Sequence, residues 1–339
     1  MRFAVDGWDA NYGTSLELEP DAESTKQIDA GVEADPARWA PIPPTPVEKP
    51  AATVFVDGVR RIEARVWIDE VPGEPDSLTN EAAVALCASY AAGWVCCCDF
   101  GAHLGGATVR RGLFTPAMHG VDLETRHGTY SVFPTTIKEA QGLAGSLSAS
   151  LQHQLASLEI AAAVEARSGL VEHGIPDGRE LLVVDGPVRG RDNLLRVLGF
   201  IKSHQIAYLH PSLHAMIGTL AAGERTPVFL LGTSWDRFTW YLRLPCLPGQ
   251  PWAGIARVEC AANLPTEAVI ALANQSQAVL PRFASVEYKD PRAPQNLYPV
   301  AGLERELRRR LGSSELLYRA LRREAVASTA SKTSDGTRR

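Results

Sequence analysis

The sequence has no apolar run of the roughly 18 residues that a membrane-spanning helix needs. Its start, MRFAVDGWDAN, has no secretory apolar stretch. Cysteine is scarce, with six residues, and none shows the spacing of a small disulfide-stapled domain. A cytoplasmic protein with reduced thiols is the expectation. Cys96-Cys97-Cys98 lacks the C-x₂₋₄-C spacing of a zinc site and reads as small apolar packing in a buried strand. The eight histidines form no H-E-x-x-H, and there is no G-x-S-x-G. There is no G-x-x-x-x-G-K-[ST] either, so the chain hydrolyses no nucleotide through a P-loop. Any motor must be a partner.

What is present is ordinary globular composition. Hydrophobic residues make up 45% and charged residues 22%, which excludes a fully disordered, collagen-like or coiled-coil chain. A length of 339 residues suits about two domains at roughly 150 residues each, or one large α/β domain with insertions. Thirty-four Lys and Arg against 39 Asp and Glu leave a net charge of −5. The chain is therefore not a polycation that coats nucleic acid by bulk charge. Residues 1–50 hold ten acids and four bases, a net of −6, so the remainder nets +1. A nearly neutral body can still carry a basic groove.

Residues 1–50 read as an acidic arm ending in the Pro-rich APIPPTPVEKP (40–50), an extended linker or edge-lying segment. The folded core is expected from Ala51. TVFVDG (53–58), the alternating VRRIEARVWIDE (59–70) and ATVRRGLFT (107–115) are strand-like. EAAVALCASYAAGWVCCCDF (81–100) is a buried strand, or a helix turning into one, and the group suggests an antiparallel meander. Leu143, Leu147, Leu151, Leu155 and Leu158 recur at helical steps in a long helix over 142–169. ELLVVDGPV (180–188) is a buried strand running into a turn, and 191–205 reads as an amphipathic helix. VFLLGT, FTWYLRL and WAGIARVEC are further strands. Residues 265–280 are helical, 303–325 read as two helices broken at Gly312, and 326–339 as a disordered tail. A mixed sheet with helices packed on it follows.

Two strands end alike in Asp-Gly, at Asp57 and Asp185. A carboxylate at the end of a buried strand is costly unless it is paired, hydrogen-bonded or metal-bound. Asp57-Gly58 also fits a type I′ hairpin turn. At Asp185-Gly186 the following Pro187 weakens that alternative, leaving a plain strand-to-helix turn. A third acid is expected from the long helix, which offers Glu159 and Glu165. At 100° per residue these two do not share a face, and either can be a solvated helix acid. Three converging carboxylates repel one another, and Mg²⁺ or Mn²⁺ resolves the repulsion. Such a site suits phosphodiester hydrolysis.

At this point the residues resemble a family. VFVDG, the Glu-bearing helix, LLVVDGPV with the following GFIKS (199–203), WYLRL, IARVE and DPRAPQNLYPVAGLERELRRRLG (290–312) occur in the order of NurA-type nucleases. The resemblance covers roughly 51–312 and would make 51–325 a NurA-like nuclease domain. It implies an α/β RNase H-like fold and Mn²⁺-dependent 5′→3′ exonuclease and single-strand endonuclease activity. It also implies a homodimer and partnership with a HerA-type hexameric translocase in DNA end resection. On it, Asp57 and Asp185 match catalytic metal ligands, Glu159 matches the intervening glutamate, and Glu165 is the alternate. Lys202 matches the lysine after the second Asp-Gly, holding a phosphate or screening the carboxylates. The family's C-terminal histidine has no counterpart, and Asp290, Gln295, Asn296 and Glu304 are the substitutes at hand.

For DNA contact the chain offers Arg189, Arg191 and Arg196 after Asp185, and an arginine-rich C-terminal helical region. A solvated helix face explains them as well. Trp235, Trp240 and Tyr241 suit base stacking or the core. The leading expectation is a metal-dependent DNA nuclease. Its rival is a non-catalytic adaptor of the same fold that binds a translocase and DNA ends. A nuclease acting on RNA is a third reading, without a visible 2′-hydroxyl reader.

Overall fold

The computed structural model describes residues 27–69, 82–172, 174–176, 178–191, 193–202, 207–233, 235–247, 249 and 252–335. The start of the acidic arm (1–26) and the last four residues lie outside them. The described residues form two compact units: those within 1–57, 94–106 and 163–303 in the first, and those within 58–93, 107–162 and 304–339 in the second.

The first unit is built on a mixed sheet. In spatial order its strands are β1 (Gln27–Asp29), β9 (Phe229–Gly232), β10 (Asp236–Arg243), β11 (Ile255–Ala261), β8 (Val197–Ile201), β7 (Glu180–Asp185) and the first part of β2 (Ala52–Asp69). β2, β7 and β8 run parallel, and the others pair antiparallel. The parallel strands are near-continuous apolar runs, as strands buried on both faces require. Successive side chains of β10 show the two faces. Trp240 donates through Nε1 to Ser276 Oγ at 3.0 Å on α3 (Thr266–Val279). Tyr241 faces the other way, into a cluster with Leu209, Ile217 and Ile255 beside α2 (Pro211–Ile217).

Of the two forms expected for the Pro-rich segment, linker or edge-lying, the described residues 27–50 take the second. β1 adds to the sheet edge, and Ile42 and Arg225 exchange backbone hydrogen bonds of 2.8 and 3.1 Å. The Glu33 carboxylate accepts from Arg225 Nη1 at 2.6 Å, Arg225 Nη2 at 2.7 Å and Val228 N at 2.7 Å. These bonds to a single carboxylate hold the segment against the strand edge.

In the second unit the order is β2 (from Gly58), β3 (Ala82–Cys98), β4 (Gly101–Thr115), β6 (Gly128–Pro134) and β5 (Leu123–Thr125). Leu147, Leu151 and Leu155 of α1 (Gly142–Glu172) pack on Val84, Ala88, Tyr90 and Phe114. The alternate side chains Ala85, Cys87, Leu113 and Tyr130 pack on Leu321 of α5 (Ser314–Asp335). Helices therefore cover both faces here too.

Three readings of the sequence are corrected. Asp57-Gly58 is not a hairpin, because β2 runs through it unbroken for 18 residues. Residues 197–201 form a fully buried parallel strand rather than part of an amphipathic helix; short apolar runs such as VLGFI cannot be told apart by periodicity alone. The expected tail is helical as far as Asp335, where α5 ends.

Candidate functional site

The geometry begins with strand register. β2 and β7 run side by side in parallel, with Val56 opposite Val184 as the last pair. Asp57 and Asp185 come next: Asp185 ends β7, and Asp57 stands where β2 runs on past the last residue paired with β7. Asp57 is 6% exposed. Alternation puts Lys202, two residues beyond Phe200, on the Asp185 side of the sheet, since Phe200 is the register partner of Asp185.

Lys202 is buried, not a surface lysine. Its Nζ donates to Asp185 Oδ2 at 2.5 Å and to Asn296 Oδ1 at 3.2 Å. The fully buried Asn296 donates in turn from Nδ2 to Asp290 Oδ2 at 2.6 Å. Asp290 Oδ1 accepts from Arg292 N at 2.8 Å. The ammonium is thus fixed from one side by a carboxylate and from the other by an oriented amide.

α4 (Tyr298–Arg310) follows directly. Glu304 lies on this unbroken helix, one residue past the unit boundary. One carboxylate oxygen each from Asp57, Asp185 and Glu304 lies within 4.8 Å of the other two. Of the four substitutes for the family's histidine, Glu304 is the one in this group. Asn296 and Asp290 support Lys202, and Gln295 donates to Ile255 O at 3.2 Å.

The two helix glutamates go to different places. A Cβ on Gly58 would stand 2.5 Å from Glu159 Oε1, so the Glu159 carboxylate lies against the residue that follows Asp57. Glu165 is exposed on the C-terminal part of α1, its Oε1 3.5 Å from Trp94 Nε1.

The arginines after Asp185 are also distributed. Arg189 is exposed. Arg191 is buried, and its Nη1 donates to Pro187 O at 3.1 Å. Arg196 donates from Nε to Glu180 O at 2.9 Å and from Nη2 to Gln275 Oε1 at 2.8 Å. Trp240 and Tyr241 are core residues, and burial pushes the Tyr241 hydroxyl up to about 12. The Arg237 guanidinium stacks 4.6 Å over the half-buried Trp235 ring.

The donor set fits a divalent cation. All three group members are hard carboxylate oxygens, the preferred ligands of Mg²⁺, Mn²⁺ and Ca²⁺. Lys202 supplies one positive charge against three carboxylates, so a further dication brings the group near neutrality. Asn296 and Glu259 differ in the signal the sequence gives. Asn296 sits in a polar loop where burial is invisible. Glu259, a charge in the otherwise apolar strand IARVECA beside Arg257, had a signal: such a group must be paired.

No family model matches the chain, and no curated protein matches it. Among solved structures, it is similar to the NurA nuclease from Sulfolobus solfataricus. The likeness is 10% identical, covers 84% of this chain and 88% of that chain, and has a TM-score of 0.43.

Proposed function

We propose that the protein is a metal-dependent nuclease acting on DNA. The observation that carries this reading is that Asp57 and Asp185 each follow the last paired residue of adjacent parallel strands, with Lys202 buried against Asp185. The ordered motifs of NurA-type nucleases in the sequence support it, and an RNase H-like core is part of the same proposal.

In this reading Asp57, Asp185 and Glu304 hold Mn²⁺ or Mg²⁺, and Glu159, on the sequence resemblance alone, is a further candidate ligand. The bound ion supplies Lewis-acid polarisation of a phosphodiester and a water of lowered pKa. Lys202 orients Asp185 and offsets part of the clustered negative charge that would otherwise repel a phosphate. Asn296, itself held by Asp290, fixes the direction of the ammonium. Exposed Arg189, four residues past Asp185, is the DNA contact; Arg191 shapes the turn through Pro187 O, and Arg196 holds the start of β7 through Glu180 O. A second copy of the chain and a HerA-type translocase are proposed partners on the sequence resemblance alone.

The test is cleavage of end-labelled single- and double-stranded DNA with Mn²⁺, with Mg²⁺ and with EDTA, with and without the translocase. Metal-dependent cleavage that disappears in Asp57→Ala and Asp185→Ala supports the nuclease. A folded protein that binds the translocase yet cleaves nothing under any of these conditions supports the adaptor.

A further inference from the structure

We infer that Glu259 on β11 is a positioning residue that fixes the turn carrying Asp185; the inference rests on the reading of Asp185 as a metal ligand. β7 ends at Asp185, and the chain turns through Gly186 at φ +114°, a region that L side chains rarely adopt. Gly186 N donates to Phe200 O at 3.0 Å. Val188 N donates to Glu259 Oε1 at 2.9 Å, a charge-assisted bond to a side chain 71 residues away in sequence. Arg191 closes the turn on the Pro187 carbonyl.

Glu259 is fully buried, so its charge demands partners. Its Oε2 lies 3.2 Å from Arg237 Nε and 3.7 Å from Arg257 Nη2. Arg237 is anchored on Thr233 Oγ1 at 3.0 Å and Trp235 O at 3.2 Å. Arg257 stacks 4.8 Å over the Tyr208 ring. One carboxylate therefore ties together the turn after β7, the turn between β9 and β10, and the segment before α2.

The route is cleared by a glycine. The register sets Glu259 opposite Gly199, and Gly199 opposite Val184. A Cβ at Gly199 would stand 2.8 Å from both Glu259 Cγ and Gly186 O. Glycine at 199 thus lets Glu259 cross β8 and reach the turn. By alternation Glu259 shares a sheet face with Val184 and not with Asp185. It acts on Asp185 through the backbone and does not touch the carboxylate group.

The test uses the full chain with Glu259→Ala, Glu259→Gln and Gly199→Ala. Mn²⁺ affinity is measured by calorimetry, folding by circular dichroism, and the Val188 amide by hydrogen exchange. Glu259→Ala is expected to weaken Mn²⁺ binding about tenfold, in the range for residues that orient metal ligands. Glu259→Gln keeps an acceptor for Val188 N and is expected to recover most of the loss. Glu259→Ala that melts earlier yet binds Mn²⁺ as wild type overturns the inference. Should that variant not fold, Gly199→Ala reads the same displacement. Wild type that binds no Mn²⁺ contradicts the metal reading of Asp185, and the clamp is then read from Val188 alone. Slow exchange there in wild type, speeded about tenfold in a folded variant, supports it; exchange in wild type at the rate of an unprotected amide overturns it.

Discussion

Asp57 and Asp185 each stand one residue beyond the last paired residues, Val56 and Val184, of adjacent parallel strands. Their proximity is set by backbone register and needs no loop to create it. Neutralising either acid should therefore remove a ligand while leaving the sheet intact. Asp57→Asn and Asp185→Asn are expected to lower DNA cleavage by about 100-fold or more, at or beyond the upper end of what outer-shell substitutions cost. Melting curves close to wild type would show that the loss is local.

The Lys202–Asp185 pair leads to a second expectation. Both side chains are largely buried, and removing one partner of a buried pair costs about 3–5 kcal/mol. Lys202→Met should lower the urea midpoint in EDTA. Added Mn²⁺ should restore part of that stability, because a cation at the carboxylates takes over the neutralising role. A midpoint unchanged by both treatments would contradict the assignment.

Glu33 and Arg225 clamp residues 27–50 to the sheet through two short ion-pair contacts and a bond to Val228 N. Glu33→Ala leaves the buried Arg225 with one carboxylate fewer. A loss of about 3–5 kcal/mol is expected in urea unfolding. Proteolysis should then cut first within residues 30–50.

Alkaline stability follows from the buried thiols. Burial, with the Glu63 charge second, pushes the Cys87 thiol up to about 12, and burial also raises Cys96 to about 12. In the unfolded chain these thiols lose their protons near pH 8.5. Between those values the folded state holds more protons, so its stability falls as pH rises. The urea midpoint should be flat below about pH 8.5 and fall steadily toward pH 11. Replacing Cys87 by Ala should reduce that slope.

Much of the plan was legible in the sequence because it is written in local patterns. The Leu143–Leu158 stripe, the apolar run of β7 and the paired strands at 228–244 all declare themselves by periodicity. The two Asp-Gly sites were visible because a charge after an apolar run is costly. β8 was missed because VLGFI has no periodicity of its own and its parallel pairing is non-local. The continuity of β2 through Asp57-Gly58 was hidden by a strong turn dipeptide. Lys202 stood out by its place after the second Asp-Gly, but its burial did not, because that depends on Asn296, 94 residues away. Arg191 and Arg196 looked like DNA contacts because sequence shows charge but not the carbonyls that use it.

The central claim is that Asp57 and Asp185 together create a divalent-cation site. The most direct measurement is a calorimetric titration of Mn²⁺ into metal-stripped full-length protein, for wild type and for the Asp57→Asn, Asp185→Asn double variant. The account predicts saturable binding in wild type and none in the double variant at the same concentrations, with both proteins folded. Equal binding in the two, or none in wild type, would contradict it.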